Sequence, residues 1–293
     1  MRSIAFIGIG NMGWPMAANL VKAGFDVTVA DIQPGRAASF AAEVGGRGAV
    51  GNHDAAIGAD ALITMLPTSS HVADALRDAS PALTPGAVVI EMSSGVPSMT
   101  QSLAADLCER GLTLVDCPVS GGVARAVTGE LSMMVGGEPA EIERVMPVLL
   151  AMGTSVHHCG AAGAGQAMKA LNNLVSAGGF LVGMEALLIG QQFGLEPARM
   201  VEVLNASTGM NNSTQKKFTQ FVLSRAYDSG FSLDMMVKDL GIATDMGRYG
   251  DVIAPFSTLC AQLWASAANV IGPGRDHTEM ASFCETIAGH MVT

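Results

Sequence analysis

At 293 residues the chain is long for a single core, and two domains are expected. Hydrophobic residues make up 49% of it and charged residues only 14%, which excludes disorder over nearly its whole length. A net charge of −10, with no basic cluster longer than Lys216-Lys217, excludes a nucleic-acid partner but still allows a small anion held by backbone amides.

The opening run Ser3 to Ile7 is apolar and β-prone, and it breaks at glycine with no cleavage-site pattern, so no signal peptide is expected. Gly8-Ile9-Gly10-Asn11-Met12-Gly13 follows, and then an apolar helical pattern with Pro15 in its first turn, where a missing N–H is harmless. In such a strand–turn–helix, Gly8 permits the tight turn, Gly10 lets a phosphate approach the backbone, and Gly13 lets the helix pack on the strand. A second β-run, Asp26 to Ala30, ends at Asp31, 18 residues after Gly13, where a carboxylate accepts hydrogen bonds from an adenosine ribose. Asp31 also repels a 2′-phosphate, and Ile32-Gln33 supplies no cation for one, although Arg36 is close enough in sequence to reach back. NAD is therefore expected rather than NADP. The competing reading of Asp31 is a plain strand-end turn residue.

Apolar β-runs recur at Ala61 to Met65, Ala87 to Glu91 and Leu112 to Val115, separated by helical patterns, which is the signature of a parallel doubly wound sheet. Each run ends in loop-forming residues: Leu66-Pro67-Thr68-Ser69, Ser93-Ser94-Gly95, and Cys117-Pro118-Val119-Ser120-Gly121-Gly122. Ligands of such sheets sit at these carboxyl ends. In the third loop, Gly121 and Gly122 can turn successive N–H groups toward one point, and Ser120 adds a hydroxyl donor, which makes a nest for a carboxylate or phosphate. A simple tight turn fits the same residues. Ser132 to Gly137 reads as a further strand and Pro139 to Leu150 as a helix.

Gly163 to Leu195 reads apolar almost without interruption yet keeps Lys169, with Asn172 and Asn173 three and four positions on. That spacing places an ammonium and two carboxamides on one helical face. Either Lys169 snorkels to solvent, or it is buried with a pKa drawn down from about 10.4 toward the range of a general base. Leu171 to Gly190 is long enough to cross a membrane, but its asparagines, serine and glycines and the lack of an aromatic belt favour a helix buried in protein. Beyond it, Pro197 to Ala206, Ser213 to Ser224, Leu233 to Tyr249 and Pro255 to Val270 read as helices with no strand alternation. Five scattered cysteines have no CxxC spacing, and His157-His158 lacks a third ligand. No metal site is expected, and the thiols read as reduced ones of a cytoplasmic protein.

Four stretches together resemble the β-hydroxyacid dehydrogenases: GIGNMGWPMAANL from Gly8, DCPVSGGVARAVTGELSMMVGG from Asp116, GAGQAMKALNN from Gly163, and KDLGIA from Lys238. The resemblance spans almost the whole chain. It implies an α/β Rossmann-type N-terminal domain over 1–162 and an all-α C-terminal domain over 163–293, joined by a long interdomain helix. The second domain would complete the substrate cleft and build a homodimer or homotetramer. By the same resemblance Lys169 and Asn173 are catalytic, Ser120, Gly121 and Gly122 bind the carboxylate of a small substrate, and Gly8, Gly10, Asn11, Met12, Gly13, Asp31, Leu66, Pro67, Ser94, Phe231 and Lys238 contact NAD. The implied activity is hydride exchange between NAD and a small β-hydroxy acid such as 3-hydroxyisobutyrate. Reduction of a semialdehyde such as tartronate semialdehyde, or an imine reductase on the same scaffold, is the alternative. Ser94 stands where many members have threonine, Arg125 and Glu130 where glycine and threonine are common, and Met210 where many carry arginine, which leaves the substrate open.

Overall fold

Nine strands form one sheet in a computed structural model that describes residues 1–293: β1 (Ser3–Ile7), β2 (Asp26–Ala30), β3 (Arg47–Gly48), β4 (Ala61–Thr64), β5 (Val88–Glu91), β6 (Thr113–Asp116), β7 (Val119–Ser120), β8 (Leu131–Gly136) and β9 (Gly153–Gly160). Their order is β3-β2-β1-β4-β5-β6-β8-β7, with β9 also paired to β8. The first six strands are mutually parallel in the order of a dinucleotide-binding sheet, while β8 runs antiparallel to β6 and β7. β4 and β5 are buried at every position, as strands covered by helices on both faces must be. Two apolar clusters accordingly flank the sheet, one around Phe6, Met16, Phe40 and Ile63, the other around Ile7, Leu62, Leu76 and Val89.

The chain divides into two compact units, Met1–Lys169 and Ala170–Thr293. The second is entirely helical apart from an isolated bridge between Ser232 and Asp276. Its core gathers Phe180, Met184, Phe218, Leu240 and Trp264, with the Phe180 ring edge-on to both Phe218 and Trp264.

The long apolar stretch is one helix, Ala164–Gln192. It is long and apolar enough to cross a membrane, yet 56% of its most apolar window is buried inside the protein. The helix expected over Ser213 to Ser224 is instead a short helix, Asn212–Lys216, followed by a π-helix, Phe218–Leu223. The short one is closed by a capping box between Asn211 and Thr214. The strand Gly153–Gly160 and the final helix Met280–Ala288 are additions that periodicity alone did not reveal.

Candidate active site

The glycine turn sits between β1 and the helix Gly13–Lys22. Gly8 has φ +92°, and a Cβ there would lie 2.4 Å from the Met65 carbonyl oxygen, so only glycine fits. A Cβ on Gly13 would fall 2.0 Å from the Gly8 carbonyl oxygen, the close helix–strand contact that the third glycine serves. At Gly10 an added Cβ meets nothing within 4 Å, so the turn opens to solvent where a phosphate would approach. The following helix has no side-chain cap and no acid in its first turn, which leaves its positive end available to an anion. The turn therefore fits a dinucleotide pyrophosphate.

Asp31 closes the same corner. Its carboxylate accepts the Ile9 N–H at 2.9 Å and the Gln33 N–H at 2.8 Å. The Arg36 guanidinium lies on this turn as well, donating to the Ile9 carbonyl at 2.8 Å and to the Gln33 side chain at 2.7 Å. Asn11 is exposed and Met12 half-buried beside them.

The loops after β4 and β5 are tied together. The Ser93 hydroxyl accepts the Leu66 N–H at 2.9 Å, which fixes the partly exposed Leu66-Pro67 corner against Ser93-Ser94-Gly95. Ser120 ends β7, so the expected loop is partly strand, and Gly121 and Gly122 follow with φ of +135° and +68°. Such angles give consecutive N–H groups the freedom a nest requires. The Arg125 chain packs over Gly121, where a Cβ would come within 2.7 Å of it.

Lys169 and Asn173 share one face of the helix Ala164–Gln192 and are 8% and 6% exposed, so the lysine is buried and does not snorkel. Asn173 donates to the Asp239 carboxylate at 2.6 Å and accepts from Asn172 at 3.2 Å. Lys238 lies 3.4 Å from the other Asp239 oxygen. Phe231 is half-buried, with its ring edge-on to His277. The structure thus gathers Asn173, Asp239 and Lys238 in the helical unit, and the glycine turn, Asp31 and the loops at Leu66, Ser94 and Ser120 along the carboxyl ends of the strands.

Sequence reading missed the polar cluster under the first turns of the long helix. Glu91 and Asp116, facing each other in register on β5 and β6, are both buried. Asp116 accepts the Gly163 N–H at 2.7 Å and the Gln166 N–H at 2.9 Å, and so caps that helix from the sheet. Gln166 donates from its amide to the Glu91 carboxyl and to the Ser93 carbonyl, the latter at 2.8 Å, and accepts the Gly95 N–H at 2.7 Å. Burial raises the pKa of both acids, that of Glu91 to about 8, where the nearby Asp116 charge adds to the effect and the Ser93 hydrogen bonds oppose it. The available signal was an acid ending an all-apolar strand.

Comparison with known proteins finds relatives along nearly the whole chain. Residues 3–160 match the NAD binding domain of 6-phosphogluconate dehydrogenase, and residues 163–284 match the NAD-binding model of NADP-dependent 3-hydroxyisobutyrate dehydrogenase. Among relatives, 2-(hydroxymethyl)glutarate dehydrogenase of Eubacterium barkeri is 35% identical over 93% of this chain and 91% of its own. The NAD-dependent L-serine dehydrogenase of Pseudomonas aeruginosa is 37% identical over 90% of this chain and 91% of its own. The solved structure of Mycobacterium tuberculosis 3-hydroxyisobutyrate dehydrogenase with L-serine superposes with a TM-score of 0.90 at 33% identity, covering 98% of this chain and 99% of that one. These family matches and relatives together define an NAD-dependent oxidoreductase acting on a CH–OH group. The chain belongs to the β-hydroxyacid dehydrogenase family.

Proposed function

We propose that the protein oxidises a small β-hydroxy acid such as 3-hydroxyisobutyrate, with Lys169 as the proton acceptor. The observation that carries this reading is the burial of Lys169 one helical turn before Asn173 on the same face. NAD, when bound, supplies the hydride acceptor. Lys169 takes the hydroxyl proton at Nζ as the carbinol C–H bond breaks and returns it in the reverse direction. Asn173, held by Asp239, orients the hydroxyl and the neutral lysine amine that receives its proton. Ser120, Gly121 and Gly122 bind the carboxylate through their donors, which sets how far the carbinol carbon lies from the acid end. The glycine turn, Asn11, Met12, Asp31, Leu66, Pro67, Ser94, Phe231 and Lys238 hold the cofactor. In the imine-reductase alternative another proton donor usually takes the place of this lysine, so a buried Lys169 favours the hydroxy acid.

We assign residues 1–162 to the nucleotide domain and 163–293 to the helical domain. A homo-oligomer in the cytoplasm is the assembly we favour. Val175, Val182 and Ile189, seven residues apart on the long helix, are 76%, 55% and 71% exposed, an apolar stripe suited to a second copy. All five cysteines are unpaired, in keeping with a reducing compartment. A monomeric molar mass by light scattering would rule the assembly out.

The test of function is a panel of 3-hydroxyisobutyrate, L-serine and 2-(hydroxymethyl)glutarate with NAD, run on wild type and Lys169→Ala. The variant is expected to keep its fold and NAD affinity and to lose about 10²- to 10⁴-fold in kcat, the share of a positioned acid–base group. Turnover at the wild-type rate would end the proton-transfer role.

A further inference from the structure

We propose that Gln166 is a positioning residue for hydride transfer, locking the turn that carries Lys169 to the loops after β4 and β5. The inference rests on the reading of Lys169 as the proton acceptor and of those loops as cofactor contacts. Gln166 is 1% exposed and lies three residues before Lys169, so its azimuth on the helix fixes that of the lysine. Its side chain uses both amide hydrogens and its oxygen: to the Glu91 carboxyl, to the Ser93 carbonyl at 2.8 Å, and from the Gly95 N–H at 2.7 Å. Its own N–H goes to Asp116 at 2.9 Å. Ser93 passes the constraint on, since its N–H binds Glu91 at 2.9 Å and its hydroxyl holds the Leu66 N–H at 2.9 Å. One buried side chain thus sets the helix carrying the lysine, the Ser94 loop and the Leu66 corner in a common frame.

Stability alone gives little reason for this construction. Two carboxyl groups side by side in the sheet are costly to bury, and apolar packing of the same shape is often as stable or more so. A directional network fixes the relative placement of its members in a way that apolar contact does not, and a shift of about 1 Å in a reacting group can cost about 10²-fold in rate.

The experiment measures full-length wild type, Gln166→Leu, and the exchanged pair Glu91→Gln with Gln166→Glu, using whichever acid of the panel above the wild type oxidises fastest. Gln166→Leu removes three hydrogen bonds at nearly constant volume. It is expected to unfold cooperatively, to bind NAD within about threefold of wild type by calorimetry, and to lose about 10- to 100-fold in kcat with little change in KM. The exchanged pair restores an amide–carboxyl contact across the same gap and keeps an acceptor for the Gly95 and Ser93 N–H groups, giving up only the donor to the Ser93 carbonyl. It is expected to recover at least about tenfold of that loss, a rescue that a purely structural role does not predict. Should Gln166→Leu fail to fold, the exchanged pair is compared with Glu91→Gln alone, and a kcat no higher than that of the single variant overturns the proposal. So does a folded Gln166→Leu with kcat within twofold of wild type, or one whose NAD affinity falls as far as its kcat. Lys169→Ala measured alongside separates the two claims: unchanged turnover there sinks the proton role itself, whereas loss there without loss in Gln166→Leu sinks only the positioning.

Discussion

Replacing Asp31 with serine is expected to erode the preference for NAD over NADP, and the corner that holds Asp31 gives the size of the effect. The carboxylate stands at the end of β2 with one oxygen on the Ile9 N–H and the other on the Gln33 N–H. A 2′-phosphate on the adenosine ribose would meet this charge. At about 4 Å and an effective dielectric near 20, one pair of like unit charges costs about 4 kcal/mol. The Arg36 guanidinium on the same turn offsets part of that cost, being anchored on the Ile9 carbonyl and the Gln33 side chain. A net discrimination of about 1.4 to 2.7 kcal/mol remains, or about 10- to 100-fold in kcat/KM. Asp31→Ser removes the repulsion and leaves Arg36 in place, so the ratio of kcat/KM for NAD to that for NADP is expected to fall at least about tenfold. Steady-state kinetics with each cofactor at a fixed, saturating hydroxy acid measure it. Equal use of both cofactors by the wild type would refute the argument. A variant that weakens both equally would show instead that the carboxylate serves only to brace the glycine turn through Ile9.

Two other perturbations test separate parts of the site. Gly121→Val places a β-branched residue at φ +135° and drives its Cβ into the Arg125 chain. It is expected to raise KM for the hydroxy acid at least about tenfold while leaving NAD affinity within about threefold, and the reverse pattern by calorimetry and kinetics would reassign the loop to the cofactor. Glu91→Gln tests the buried acid through pH. Because the folded pKa is raised to about 8 from an ordinary 4.5, the protonated acid's contribution is complete below pH 4.5 and is lost as pH rises through 8. That window corresponds to at most about 5 kcal/mol. Urea unfolding at pH 5 and pH 8 is expected to show the variant gaining on wild type by a few kcal/mol at the higher pH, and a difference that does not change with pH would contradict the assignment.

The nucleotide half was legible because its signals are local. A strand, a glycine turn with fixed spacing and a helix with proline in its first turn all lie within 22 residues, and Gly8 and Gly13 each answer to a close contact within the same supersecondary unit or beside the neighbouring strand, while Gly10 faces open space. The helical half was legible as helices for the same reason: the 3.6-residue period is a property of a short window. Where the window saw little apolar contrast the reading failed. In Gly153–Gly160 most positions are only half-buried or exposed, so β9 carries no strand alternation, and β7 is two residues long. At Lys217 the helix that periodicity would continue switches to a π-turn.

The site divides along the same line. Lys169 and Asn173 could be paired from spacing because one helix carries both. The partner of Asn173, however, lies 66 residues on at Asp239, and Gln166 lies 75 residues from Glu91. No local pattern announces such a bond, since it exists only once the sheet order has been set. Sequence still contained a constraint that, joined to that order, leads to the cluster. β5 and β6 are adjacent parallel strands covered on both faces, and each ends in an acid, Glu91 and Asp116, at matching register. A buried acid must find donors. Asp116 finds them in the backbone at the start of the long helix, and Glu91 in Ser93 and the amide of Gln166. The demand for donors at the end of two apolar strands thus fixes where the helix bearing Lys169 must begin, and so which way its lysine faces.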